Sequence, residues 1–334
     1  MNKYKIKHLV IKPTFACTAN CPTCGTRKLL HRNLSGKNNL HVQDWQRIFD
    51  EAVALGLERI DISGGEPTLF PGLLDLVKAG KNRNCFVNIN TNGSVLTTDK
   101  AADMVKAGLD SVYVSLYSHK PDTHDRMRNK PGLWQSAVNT IKIFSNLQEK
   151  FPNFKIKTQT LINKNNYKDI PGLIKLNREL GISEMAISYL EGDFNRELLL
   201  NINEILNFRN KITKDCLTEI SGLPEKNRNE NESALKNLFS NRISDADWAS
   251  GLYQPINRKL NKCTRPQWFA LILANGDVHP CNAVEYTHEP IMGNLFNTSF
   301  TEIWQSKKFD DFRKNLFFYC EKCPINLYTI IKLK

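Results

Sequence analysis

Long apolar runs are missing from this 334-residue chain: no segment approaches the roughly 18 consecutive apolar residues of a membrane-spanning helix. The N-terminal lysines Lys3, Lys5 and Lys7 precede no sustained apolar stretch, which argues against a secretory signal. Acidic residues are in deficit, 34 against 46 lysines and arginines, giving a formal charge of +12. That balance suits an anionic or phosphate-bearing partner, or simply a solvated lysine-rich surface. No stripe interleaves aromatics with Arg and Lys, so nucleic acid is not the expected partner. Internal repeats are absent as well. The expectation is a cytoplasmic protein without membrane contact, and 41% hydrophobic residues suffice for one large domain and a smaller one.

Cysteine, by contrast, is plentiful. The chain has nine, and a reducing compartment disfavours disulfides. Seven fall into two clusters, Cys17/Cys21/Cys24 and Cys263/Cys281/Cys320/Cys323, while Cys85 and Cys216 stand apart. Three thiolates in the loop Phe15–Cys24 can hold three corners of a cubane iron–sulfur cluster and leave the fourth iron without a protein ligand. An open metal position binds substrate or cofactor, as in catalytic rather than structural zinc sites. A zinc site closed by His31 is the alternative, although only Cys21 and Cys24 show the C-x2-C spacing zinc prefers. The second cluster offers four thiolates, enough for one fully ligated cubane or for a four-cysteine zinc site. Such clusters carry about −1 with three thiolates and about −2 with four, leaving a loaded protein near roughly +9.

Short β-like runs alternate with amphipathic stretches from residue 8 to about 215. Strands are expected at His8–Pro13, Arg59–Ile62, Cys85–Asn90, Ser111–Leu116, Phe154–Ile162 and Glu184–Tyr189. Helices are expected at His41–Gly56, Pro71–Lys81, Thr97–Ala107, Gly132–Lys150 and Asp169–Leu180, with Gly108 and Gly181 at their C-caps. Six β–α units imply a parallel sheet with right-handed crossovers, and a full eight-unit barrel would need about 250 residues. The fold class is therefore α/β, a partial (β/α)6 TIM-type barrel. Asn201–Leu217 reads as a further helix. The polar run 221–250 carries no periodic pattern and reads as a linker or mobile segment. Asn275-Gly276 predicts a type I′ hairpin between Gln267–Ala274 and Asp277–Pro280, followed by a helix over Thr301–Lys314. The expected division is a barrel over 1–217, a linker or helical segment over 218–258, and an auxiliary hairpin/helix domain over 259–334.

The C-x3-C-x2-C loop, followed after the second strand by Gly64-Gly65-Glu66-Pro67, resembles the radical S-adenosylmethionine enzymes. The resemblance implies the (β/α)6 core and a [4Fe–4S] cluster on Cys17, Cys21 and Cys24 that binds S-adenosylmethionine. It implies cofactor contacts at Gly64, Gly65 and Glu66, at Asn92 and Ser115 after the third and fourth strands, and near the adenine along Thr160–Asn163. His124-Asp125-Arg126-Met127-Arg128 resembles an element found in many members, and Arg128 could clamp a carboxylate. The C-terminal cysteines resemble the auxiliary-cluster module in its shortened, twitch-like form, since the longer SPASM form adds further cysteines after the C-x2-C pair. That resemblance implies a second [4Fe–4S] cluster on Cys263, Cys281, Cys320 and Cys323.

What the resemblance implies chemically is reductive cleavage of S-adenosylmethionine, fed by an external donor such as flavodoxin or ferredoxin, and hydrogen abstraction from substrate. Glu191 and Asp193 follow the sixth strand, where barrel enzymes place catalytic groups, and are candidates for substrate binding or proton abstraction. The first expectation for substrate is a small polar molecule such as a sugar, amino-polyol or nucleotide-linked metabolite, oxidised or rearranged with help from the auxiliary cluster. The alternative is maturation of a ribosomally made peptide; the few residues before Cys17 are not expected to hold a leader-binding domain, which a separate recognition protein could supply. An epimerising peptide enzyme needs a hydrogen donor, and Cys216 or Cys85 are the candidates, although both also suit buried small hydrophobes.

Overall fold

The computed structural model describes residues 4–29, 39–190, 196–241, 243–251, 263–282, 291–316 and 329–334. Six parallel strands lie side by side in chain order: β1 His8–Lys12, β2 Arg59–Ile62, β3 Phe86–Thr91, β4 Ser111–Ser115, β5 Lys155–Ile162 and β6 Glu184–Tyr189. The helices α1 Gly25–Leu29, α2 Val42–Ala54, α3 Leu73–Lys81, α4 Thr98–Lys106, α5 Pro121–Arg128, α6 Leu133–Lys150 and α7 Ile170–Glu179 fill the crossovers. Helical periodicity decides which faces they bury. Trp45, Ile48, Phe49 and Ala52 of α2 are all inside, at the spacing the sequence shows. Gly108 and Gly181 end α4 and α7 at φ +95° and +72°, left-handed values that a side chain would strain.

Beyond β6 the chain departs from expectation in several places. The helix expected over Asn201–Leu217 is α8 Ile202–Asn207, a π turn Phe208–Ile212 and α9 Thr213–Ile220, one run with a widened turn inside it. The polar stretch read as a linker holds two helices, α10 Glu225–Asn237 and α11 Asp245–Ser250. Its order comes from far along the chain. The buried Asn231 amide accepts from the Lys332 backbone N–H at 2.7 Å and donates to the Lys332 carbonyl.

The C-terminal strands join the same sheet instead of forming one of their own. β7 Phe269–Leu273 pairs parallel with β1, opposing Phe269 to His8, and β8 Asp277–His279 and β9 Gly293–Asn294 continue antiparallel. At the other edge β10 Thr329–Lys332 pairs antiparallel with β6. The order β10-β6-β5-β4-β3-β2-β1-β7-β8-β9 leaves the sheet an open, curved wall and not a closed barrel.

The β7–β8 connection is three residues long, and only Gly276 in it has positive φ, at +81°. It is a three-residue hairpin with a left-handed glycine, replacing the expected type I′ turn. The helix expected at Thr301–Lys314 is broken at Ser306, whose ψ of 151° ends α12 Phe300–Gln305. The Ser306 hydroxyl then caps α13 Lys307–Lys314, accepting from the Phe309 N–H at 3.1 Å. These helices pack onto the barrel. Trp304 donates its indole N–H to the Tyr4 carbonyl at 3.1 Å, and Phe300, Trp304 and Phe309 share one core with Trp45 and Phe49.

Candidate functional site

The cysteine loop leaves the C-terminal end of β1, the end where parallel β/α folds build their sites. Its backbone is fastened to the turn after β2. Gly65 N–H donates to the Thr14 carbonyl at 2.8 Å, and Glu66 N–H donates to the Ala16 carbonyl at 2.7 Å. Both glycines are dictated by this contact. A Cβ on Gly64 would stand 2.6 Å from the Thr14 oxygen, and one on Gly65 only 2.2 Å from the Ala16 oxygen. The Gly-Gly pair thus admits the cysteine loop itself at close range.

Glu66 is fully buried and its carboxylate is committed to the protein. Oε1 accepts from the Thr68 N–H at 3.2 Å and from the Thr68 and Thr91 hydroxyls at 2.6 Å each, while Oε2 accepts from the Asn92 N–H at 2.7 Å. The side chain clamps the end of β2 to the end of β3. Through that clamp it positions Asn92, whose amide donates to the Cys17 sulfur at 3.6 Å. Hydrogen bonds to cluster thiolates are one of the means by which a protein sets cluster potential.

Within the loop, Cys24 N–H donates to the Cys21 carbonyl at 3.2 Å, turning the chain so that Cys21 and Cys24 both border one cavity of about 460 Å³. Among the described residues no three His, Cys, Asp or Glu side chains close on a point that could hold a single ion. A cubane gives each thiolate its own iron, so wider spacing is what it needs. Burial pushes the Cys21 thiol up, and the neighbouring Arg128 guanidinium pulls it back.

Arg128 is the other half of this environment. It is 7% exposed, lies 4.6 Å over the Tyr117 ring, and has a buried Nε without a hydrogen-bond partner. Burial alone would lower its pKa, but the Tyr117 phenol and the cysteines of the triad more than reverse that, so the guanidinium is held charged. A permanent cation with an unspent donor beside three thiols, on the wall of a cavity, fits an anionic cluster and a carboxylate-bearing cofactor. His124 holds the backbone of Tyr117, whose ring lies under Arg128: its Nδ1 accepts from the Tyr117 N–H at 3.1 Å. Burial first, and Arg128 second, push the His124 pKa down to about 3, so the ring is neutral. Ser115 lines the cavity beside Gln159, its register partner on β5. Leu161, in the expected adenine segment, lines it as well.

Among the lining residues that escaped the sequence reading, two basic ones stand out. Lys12 is buried at the end of β1, donates to the Thr26 hydroxyl at 2.7 Å, and has its pKa lowered to about 8 by burial. The alternation His8, Val10, Lys12 along one face of β1 was the signal for it. Arg265, two residues after Cys263, is the second. In the C-terminal module Cys281 is buried just past β8, and Cys263 is exposed before the turn that leads into β7. His279 beside Cys281 is buried with neither ring nitrogen bonded, and burial lowers its pKa to about 4. Cys320, Cys323, Glu191, Asp193 and His31 lie outside the described residues. Cys85 is buried before β3, at the end of the sheet remote from the cysteine loop, and Cys216 is buried on α9, where desolvation raises its thiol pKa. Neither lines the cavity.

Two family models match this chain: the radical SAM superfamily over residues 11–177, and the SPASM iron–sulfur cluster-binding domain over residues 263–324. The chain is 24% identical over 310 residues to a PqqA peptide cyclase of Gluconobacter oxydans (strain 621H), covering 91% of this chain and 78% of that protein. It is 23% identical over 301 residues to an AdoMet-dependent heme synthase of Methanosarcina barkeri, covering 88% and 80%. In fold it is similar to Streptococcus suis SuiB, with a TM-score of 0.67 at 17% identity over 93% of this chain and 68% of that one. The chain belongs to the radical SAM superfamily, with a C-terminal SPASM-type module, and is an enzyme of a SAM-binding [4Fe–4S] cluster and an auxiliary cluster.

Proposed function

We propose that this enzyme modifies a ribosomally made peptide, the second of the two substrate classes expected from sequence, in preference to a small polar metabolite. The observation that carries this reading is the similarity to a PqqA peptide cyclase over 310 residues, 91% of the chain. Cys17, Cys21 and Cys24 would hold the SAM-binding cluster, and Cys263 and Cys281, with Cys320 and Cys323, the auxiliary one. When bound, the cluster and S-adenosylmethionine supply one-electron chemistry that ends in abstraction of a substrate hydrogen. The protein's own part is binding and orientation. The Gly64-Gly65 turn seats the cysteine loop, Asn92 donates to Cys17, and Arg128 offers a cation to the cofactor's anionic groups. Ser115 presents a hydroxyl to the cofactor end of the cavity. The oxidative subtype, a cytoplasmic location and an electron supply from flavodoxin or ferredoxin belong to the same proposal. Glu191 and Asp193 remain the candidates for substrate binding or proton abstraction.

The test is anaerobic turnover of reconstituted enzyme with short peptides encoded beside its gene, followed by mass spectrometry. The expected result is 5′-deoxyadenosine formed together with a peptide that has lost hydrogen or gained an internal cross-link. Formation of 5′-deoxyadenosine with every such peptide unchanged, while a sugar or other small metabolite is altered, would overturn the assignment.

A further inference from the structure

We infer that Arg265 is the anion-recognition residue of the substrate cavity, and that the peptide segment entering it presents a carboxylate; this rests on the peptide reading above. The charges lining the cavity are unequal. Among the described residues, Lys12, Arg59, Arg128 and Arg265 face it, against one carboxylate, Asp61. Asp61 is already taken, bonded to Arg59 Nε at 2.9 Å and to His8 Nε2 at 3.0 Å. Lys12 donates to Thr26, and Arg128 lies against Tyr117 and the cysteine triad at the cofactor end. The Arg265 guanidinium makes no hydrogen bond or ion pair with another described residue.

Among the described residues its guanidinium lies over two aromatic rings, 5.2 Å from Phe269 and 6.0 Å from Trp268. Aromatic faces hold a guanidinium in place while leaving its donor fork unspent. The turn Arg265–Gln267 that carries it is fastened on both sides. Arg313 Nε donates to the Pro266 carbonyl at 2.9 Å, and the Lys7 and His8 N–H groups donate to the Trp268 carbonyl at 2.8 and 3.0 Å. A planar fork, pre-positioned on a cavity wall and unpaired among the described residues, matches a carboxylate in two parallel hydrogen bonds. It stands on the side of the cavity that the C-terminal module lines, just before the start of β7, whereas the cysteine loop follows the far end of the neighbouring β1. The source of the carboxylate is an acidic side chain or the peptide's own C-terminus.

Saturation-transfer NMR on the anaerobic holoenzyme loaded with S-adenosylmethionine tests this with three probes: N-acetyl-glutamate amide, N-acetyl-glutamine amide and N-acetylglycine. The glutamate probe should bind at least about tenfold more tightly than its glutamine isostere, a difference of about 1.4 kcal/mol. Arg265→Gln should bring the two together, and Arg265→Lys should keep part of the preference because it retains charge without the fork. Iron content and circular dichroism check that each variant is folded, and Arg265→Lys decides alone if Arg265→Gln is not. Tighter binding of N-acetylglycine, lost in Arg265→Gln, assigns the carboxylate to a peptide terminus. Equal binding of the glutamate and glutamine probes to the wild type, or a preference that survives in Arg265→Gln, overturns the inference. Peptide turnover without any carboxylate preference refutes this inference alone. A carboxylate preference in an enzyme that turns over no peptide refutes the peptide reading alone.

Discussion

Glu66 sits in the motif that the sequence ties to cofactor binding, yet its carboxylate accepts from Thr68, Thr91 and Asn92 and faces no open space. Its contribution is to hold two strand ends in register, so that Asn92 reaches Cys17. Glu66→Gln replaces one accepting oxygen with an NH2 group that meets N–H or O–H donors whichever way the amide turns. Leaving such buried donors unpaired costs about 1–3 kcal/mol. The expected outcome is a lower Tm in the metal-free protein and weaker cluster retention in the holoenzyme. An unchanged Tm would show that the clamp carries no stability. The motif was legible as a motif. The direction of the carboxylate was not, because it depends on Thr91 and Asn92 approaching from another strand.

Element by element, strands and helices whose apolar residues repeat with a clear period fall close to their expected bounds, as β5 and α2 do. The failures share a cause. Helix α10 has almost no apolar face, and buries Asn231 and Leu235 against a strand about a hundred residues later. Its side-chain amide there does what a further strand would do for the open edge of β10. Asn231→Ala should therefore cost about 1–3 kcal/mol and speed amide hydrogen exchange at Lys332 specifically. If exchange at Lys332 stayed as slow as in the wild type, the helix would not be what closes that edge. The break at Ser306 has a similar logic: a serine that suits a helix interior poorly suits an N-cap well, and packing chooses between them.

For the molecule as a whole, buried neutral histidine links folding to pH. His124 has a folded-state pKa of about 3, against an unfolded value near 6.5. A depressed pKa in a base means that the unfolded chain binds the proton more readily. Stability from this group is therefore complete above about pH 6.5 and declines as pH falls toward 3, by up to about 1.4 kcal/mol per pH unit. Denaturant unfolding of the metal-free protein between pH 7 and 4 should show this slope, flattened in His124→Asn. Equal slopes in the two proteins would remove His124 from the linkage.

By itself, the sequence determined the radical S-adenosylmethionine chemistry and the order of the elements through the sixth strand. Cysteine spacing, Gly64-Gly65 and the alternation of short strands with amphipathic helices are local signals, each contained within a few turns of chain. Only the tertiary structure decided how the two cysteine-bearing regions share one sheet, with β7 laid against β1 and β10 against β6. It alone turned Glu66 inward, set Arg128 against the triad and left the Arg265 fork unspent over the cavity. Pairing between strands some 260 residues apart in the chain leaves no local trace, because β7 is an ordinary apolar run until β1 opposes it. Side-chain direction at a site is likewise fixed by whichever donors, rings and carbonyls arrive from elsewhere in the fold.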